Sequence, residues 1–288
     1  MRIDNIFANA RAGGRIPVSF EMFPPKGELT LERAREAAEK LCACAPDFIS
    51  VTCSAGGTGD SSATADIAAM IERDFGVSSV AHLTGIGRTR AELAERIAAY
   101  RKAGVENVLA LRGDMPEGAD AARGDFSFAY QIIPDLVEAG FCVGAAAYPE
   151  GHIACDDLAE SVRHLRLKQD AGASFLVTQL FFDNDLFYRF RELADAAGIT
   201  VPITCGIMPF MSKQQVTRMV FMCGASLPSP VIKLLARYED DQESLMHAGI
   251  DYACRQLEDL AAHGVDGLHV YTMNRPSVAR AAIAALGR

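Results

Sequence analysis

No apolar run in the 288-residue chain approaches the roughly 18 residues that a membrane span needs. The opening stretch, MRIDNIFANARAGGR, has no apolar core behind its basic side chains, so neither a signal peptide nor a lipid anchor is visible, and the expected compartment is the cytoplasm. The eight cysteines include no CxxC pair, which argues against a zinc ribbon, a cluster-binding motif or a thioredoxin-type redox pair. No GxGxxG follows a strand-like run and no Walker sequence occurs, so nothing indicates a Rossmann or P-loop nucleotide site. Basic charge is scarce as well. A formal net charge of -9 and a pI near 5.2 disfavour nucleic acid and anionic membrane as partners, since either needs a basic footprint. A small-molecule substrate is the expectation.

What the chain does have is a regular alternation. Half of its residues are hydrophobic and 23% are charged, enough to bury a core without disulfides or metals. Short apolar runs predict strands over 17–22, 48–52, 80–83, 108–111, 142–147, 175–178, 203–207 and 267–271. Between them, amphipathic patterns stopped by glycine predict helices over 30–44, 62–75, 90–102, 126–138, 156–171, 186–197 and 213–223, a helical pair over 230–263, and a closing helix over 277–286. Strands this apolar belong in a parallel sheet buried on both faces. A (β/α)8 barrel formed as a single domain over 1–288, with an extra helix near the C-terminus, accounts for the order, and a doubly wound open sheet is the alternative. Glu21, Thr52, His82, Asp114, Tyr148, Gln179, Pro209 and Arg275 fall just past the predicted strands, on the face where barrels build active sites.

The stretch 107–116, NVLALRGDMP, shows the pattern most sharply. An apolar strand breaks into Arg112, Gly113 and Asp114, which bring a fixed cation, a close backbone approach and a carboxylate. The loop Gly56-Gly57-Thr58-Gly59 suits either phosphate or a plain surface loop, and the acidic run from Glu239 to Glu243 suits a helix N-terminus.

Taken together, FEMFPPK, ISVTCSAGG, AHLT, LALRGDMP, AAYPEGH, KQDAGASFLVTQLFFD, GIMP and VYTMNR resemble the methylenetetrahydrofolate reductase family, in its order and over 17–275. The resemblance implies a flavin-containing (β/α)8 barrel that reduces 5,10-methylenetetrahydrofolate to 5-methyltetrahydrofolate, with FAD as cofactor and NADH or NADPH as electron donor. Glu21, flanked by Phe20, Met22 and Phe23, has an apolar setting suited to a proton donor, and by resemblance it opens the imidazolidine ring. Asp114 would orient the pterin and tune the flavin. Thr52, Gln179, Gln215, Met219 and Arg275 match substrate-binding positions, with the planar fork of Arg275 suited to a carboxylate. Flavin-binding positions match at Thr52, Cys53, Ala55, His82, Arg112, Gly113, Asp114, Phe128, Ala129, Tyr148, His152, Ser161, His164 and Lys168. No metal site is expected, because His82 and His152 lack a third ligand at a recognisable spacing.

Three positions depart from the family pattern. Cys53 stands where a tyrosine is common, Ser161 where an aspartate is common, and Met219 where an aromatic ring stacks on the nicotinamide. The last leaves open a subunit that takes electrons only from a partner protein. A flavin-free pterin-binding methyltransferase barrel and a homo-oligomer stay open too.

Overall fold

The computed structural model describes residues 1–24, 30–53, 62–114, 124–155 and 157–288. Ala55 and the Gly56-Gly57-Thr58-Gly59 loop lie outside them. Eight parallel strands close into a barrel in chain order: β1 (Val18–Met22), β2 (Phe48–Val51), β3 (Ser78–Thr84), β4 (Asn107–Leu111), β5 (Cys142–Ala147), β6 (Phe175–Thr178), β7 (Ile203–Ile207) and β8 (Gly267–Tyr271). β8 closes the sheet on β1, with Val18 opposite Leu268 and Glu21 opposite Tyr271. The helices are α1 (Ile3–Ala12) before β1, then α2 (Thr30–Cys42), α3 (Ser62–Phe75), α4 (Arg90–Ala103), α5 (Ile133–Glu138), α6 (Leu158–Asp170) and α7 (Asn184–Ala196). Between β7 and β8 lie α8 (Lys213–Cys223), α9 (Ser229–Arg237) and α10 (Gln242–Ala262), and α11 (Pro276–Ala285) ends the chain. No described helix is long and apolar enough to cross a membrane.

Alternation along each strand sorts the side chains. Phe20, Met22, Ile49, Val51, Val108 and Ala110 face outward and pack with Ala34, Ala38, Ile71, Leu93 and Leu136 of the helical ring. A second cluster fills the barrel floor, where Phe48, Val80, Leu109 and Phe175 meet Ile3, Ile6 and Phe7 of α1. The Phe7 ring lies 6.3 Å from that of Phe48 and 6.1 Å from that of Phe175, within ordinary aromatic pairing distance. A Cβ on Gly267 would come within 2.9 Å of the Phe7 ring, so β8 carries glycine where the plug enters. The fully buried Asn107 ties α1 to the sheet: its Oδ1 accepts from Ile3 N at 3.0 Å and its Nδ2 donates to Ser79 O at 2.9 Å.

The structure corrects the sequence reading at three places. The opening residues, which the strand and helix pattern leaves without an element, form α1. The helix expected over 126–138 is a 3-10 turn, Ala129–Gln131, followed by the short α5, because Pro134 fits only the first turn of a helix. Glu21 and His82 lie within β1 and β3 rather than past them.

The plug makes a direct stability prediction. Phe7→Ala empties a ring-sized volume on the floor and is expected to lower unfolding free energy by about 3–5 kcal/mol in urea titrations. An unchanged midpoint would show that α1 contributes no core.

Candidate functional site

The interior above the aromatic floor is polar. Glu21 and Ser19 share the inward face of β1, while Ser50, His82 and His269 come from β2, β3 and β8. Ser19 Oγ donates to Leu268 O at 3.2 Å and lies 2.7 Å from His269 Nδ1, so the imidazole holds its proton on Nδ1 and the serine oxygen accepts it. His269 Nε2 is then the acceptor side of the ring. It takes the Ser50 hydroxyl at 3.4 Å and lies 4.0 Å from Glu21 Oε2. On the other flank, His82 Nε2 is 3.9 Å from the same carboxyl oxygen and has no hydrogen-bond partner among the described residues. Both distances exceed a hydrogen bond, so the carboxyl group stands beside two rings without being committed to either. Glu21 is 22% exposed and faces the mouth. Its flanks Phe20 and Met22 point to the helices, so the setting of the carboxyl group is these imidazoles and not the apolar neighbours expected from the sequence.

Burial drives the His82 pKa down to about 4, with the nearby Glu21 opposing and His269 reinforcing that shift. The ring is therefore neutral at physiological pH.

The ends of β4 and β5 open into a cleft of about 620 Å³, its open mouth included, with α6 as its outer wall. Of the residues expected to hold a flavin, Arg112, Phe128, Ala129, Tyr148, His152, Ser161, His164 and Lys168 line it together. Lys168 Nζ donates to Ala146 O at 2.7 Å and lies 5.3 Å over the Tyr148 ring. Burial and then the charge of Arg112 lower its pKa to about 8. His152 Nδ1 accepts from Ala154 N at 3.0 Å, and its ring meets Tyr148 edge-on at 4.7 Å. Burial lowers the pKa of His152 and raises that of Tyr148 to about 12. His164 lies 5.4 Å from the Phe128 ring. Tyr130 and Cys155 also line the cleft, though neither stood out in the sequence.

Thr52, Cys53, His82, Gly113 and Asp114 are not part of that lining: Thr52 and Cys53 follow β2, Gly113 and Asp114 follow β4, and His82 lies within β3. Gly113 has φ +84°, and a Cβ there would lie 2.9 Å from Thr84, so the loop needs glycine. Asp114 is exposed, and its charge raises the pKa of nearby Tyr148 and Cys223. Burial raises the pKa of Cys53, which keeps its thiol protonated.

A second open cleft, about 920 Å³ including its mouth, lies between α8, α10 and the turn after β8 and is lined by Gln215 and Arg275 with Met211, Met246 and Met273. Gln215 is partly spent on the start of α8, since its Oε1 accepts from Met211 N at 2.8 Å. Arg275 makes only a 3.6 Å contact to Met246 Sδ among the described residues, so its fork is free for a ligand. Gln179 uses its Oε1 on Leu180 N at 2.9 Å and leaves its NH2 group without a described partner. Met219 packs into the α8–α10 cluster and lines neither cleft, while the neighbouring Phe221 is 76% exposed.

A model of the family described as methylenetetrahydrofolate reductase matches residues 6–287. The chain belongs to the methylenetetrahydrofolate reductase family. It is 34% identical over 279 residues to methylenetetrahydrofolate reductase 1 of Schizosaccharomyces pombe, covering 95% of this chain and 46% of that one. It is 33% identical to the 5,10-methylenetetrahydrofolate reductase of Pectobacterium carotovorum and 32% identical to that of Escherichia coli, covering 96% of this chain in both cases and 92% and 93% of theirs. The chain thus spans about half the length of the yeast and plant relatives it matches and nearly all of the bacterial ones. A solved structure described as an uncharacterized protein from Clostridium thermocellum that binds two copies of 5-methyl-5,6,7,8-tetrahydrofolic acid superposes with a TM-score of 0.68. It covers 98% of this chain and all of its own at 14% identity, a likeness of fold.

Within this barrel, the described residues hold no His, Cys, Asp and Glu cluster able to bind a metal ion. Sequence reading missed Ser19, Ser50 and His269 around Glu21. The signal was present as parity: Ser19 is two residues before Glu21 and His269 two before Tyr271, hence on the same strand faces.

His82 predicts a pH dependence of folding. Its folded pKa near 4 lies below the ordinary 6.5, so the unfolded chain binds more protons between those values. Stability is full above pH 6.5 and falls by about 2–3 kcal/mol as pH drops toward 4. Urea unfolding of His82→Gln should show a flatter profile across that window, and equal profiles would exclude His82 as the source.

Proposed function

We propose that this chain catalyses the FAD-dependent reduction of 5,10-methylenetetrahydrofolate to 5-methyltetrahydrofolate, drawing electrons from NADH or NADPH. The observation that carries the reading is a carboxyl group held uncommitted between two imidazoles, next to a cationic cleft walled by aromatic rings. The folate binding described for the Clostridium structure and the relatives' names support it.

The cleft fits FAD by its donor set. Arg112 and Lys168 match the charge of a pyrophosphate, His152, Ser161 and His164 offer hydrogen bonds, and Phe128, Tyr130 and Tyr148 offer flat surfaces. His82 Nε2, an unpartnered buried polar atom, and Gly113, whose left-handed backbone turns the loop after β4, would complete the wall toward Glu21. Thr52, Cys53 and Ala129 would close the remaining sides, and Ala55 is carried by resemblance alone. Bound there, FAD would supply a hydride carrier between nicotinamide and folate.

The chain's own residues supply the proton chemistry. Glu21 gives its proton to folate N10 as the bond from N10 to the methylene carbon breaks, and the electron pair of N5 forms the 5-iminium cation. An enzyme must make this electrophile before a hydride can add to its carbon. Asp114 orients the pterin and stabilises the positive charge, the free NH2 of Gln179 donates to the ring, and Arg275, with Gln215 beside it, binds a carboxylate of the folate tail. One hydride and one proton enter the product. Glu21, 22% exposed, regains its proton from solvent.

For the donor, plant relatives are named NADH enzymes. Met219 offers no aromatic surface for a nicotinamide, so the donor is read best by experiment. In an anaerobic spectrum of the purified protein, NADH or NADPH is expected to bleach a flavin band, and methylenetetrahydrofolate to restore it. A band that neither nucleotide bleaches would point to a partner electron carrier, and no flavin even after adding FAD would favour the methyltransferase alternative. Glu21→Gln is expected to keep the flavin and nucleotide bleaching while losing return of the band with folate; normal return would remove Glu21 as proton donor.

Lys168 gives a second prediction with its own sign. Its ammonium loses its proton as pH rises through about 8, so FAD affinity of the apoprotein should weaken from pH 7 to 9.5. Lys168→Met should bind FAD about tenfold more weakly at pH 7 and flatten that profile. Unaltered affinity in the variant would place the pyrophosphate elsewhere.

A further inference from the structure

The turn after β8, residues 271–275, ties together strand ends on both sides of the barrel mouth. Thr272, fully buried, donates from Oγ1 to Glu21 O at 2.7 Å. Asn274 grips Phe23, two residues further along the same segment, by both backbone groups: its Oδ1 accepts from Phe23 N at 3.0 Å and its Nδ2 donates to Phe23 O at 2.8 Å. Met273 and Asn274 each have φ +54°, a left-handed conformation that side-chain-bearing residues disfavour. Such a turn persists where surrounding contacts over-determine it.

In the other direction the reach is longer. The Tyr271 hydroxyl crosses β7 and donates to Thr178 O at 2.6 Å. Thr178 is the last residue of β6, and its carbonyl belongs to the peptide bond that carries Gln179. The β6–β7 register runs only from Leu176 opposite Ile203 to Val177 opposite Thr204, after which Gly206 N donates to the Thr178 hydroxyl at 2.7 Å. Tyr271 captures the carbonyl beyond that register. A Cβ on Gly206 would lie 2.7 Å from the Tyr271 ring and 2.8 Å from its hydroxyl oxygen, so β7 carries no side chain where the tyrosine crosses.

Glu21 and Gln179 stand on strands separated by β7 and β8, and no ladder joins β1 to β6 directly. A ligand that takes a proton from one and a hydrogen bond from the other needs their separation fixed. We propose that Tyr271 is a positioning residue for Gln179, holding the β6 end at a set distance from Glu21 through the β8 turn. This rests on the folate reading above.

The test is a double-mutant cycle on the holoenzyme with Tyr271→Phe and Gln179→Ala, reading 5-methyltetrahydrofolate affinity by calorimetry and the rate at which methylenetetrahydrofolate reoxidises the flavin. Phenylalanine keeps the ring beside His269, whose centroid is 5.2 Å away, and thermal melting confirms folding. Tyr271→Phe is expected to lose about tenfold in both quantities, and to add less than about twofold once Gln179 is alanine. A merely structural loss would instead add in full, and additive losses overturn the proposal. So does a Tyr271→Phe protein with wild-type folate affinity. If the unmutated protein neither binds nor reduces folate, the functional reading falls first and takes the inference with it.

Discussion

In a closed parallel sheet, each strand must give alternate side chains to two interiors of different size. The outer one, between strands and helices, is large and takes Phe, Ile, Val and Leu without restriction. The inner one is narrow and tapers between a floor and an open mouth. Aromatic rings fill its lower part, which leaves the upper part to Ser19, Ser50, His82, His269 and Glu21. Polar groups buried at that level need partners. The serines and His269 satisfy one another, whereas His82 Nε2 and Thr204 Oγ1 have no described partner. Of these two, His82 Nε2 is the one beside the carboxyl group, 3.9 Å from Glu21 Oε2.

The electrostatics follow from local arrangement rather than total charge. A chain of net charge -9 still places Arg112 and a half-buried Lys168 side by side in one cleft. The charge of Arg112 adds to burial in making Lys168 harder to charge, and on the proposed reading a bound anion would relieve that repulsion.

Much of this was legible in the sequence, and the limits have physical causes. The βα period follows from apolar runs and glycine stops, which are local signals. Several positions expected to hold a flavin line one cleft together, in part because His164, Lys168 and Ser161 share one helix face. By contrast, the Ser19–His269 pair joins residues 250 positions apart, which no window of sequence displays. Spacing of Ile3, Ile6, Phe7 and Ala10 is helical, yet a helix ahead of the first strand is not part of the period, and its role depends on the shape of the floor. Gln215 has a structural duty that its position alone does not display. It lines the cleft with Arg275, and its Oε1 also accepts from Met211 N at the start of α8.

The filled floor has one further consequence. With Phe7, Phe48 and Phe175 packed against one another, the end of the barrel opposite the active-site face is corked, and the clefts that hold the candidate residues open at the mouth. On the proposed reading, oxidised nucleotide and incoming folate then use the same doorway. They must queue, so a spent molecule slow to depart would hold up the next arrival, and an excess of either reactant would act as its own traffic jam.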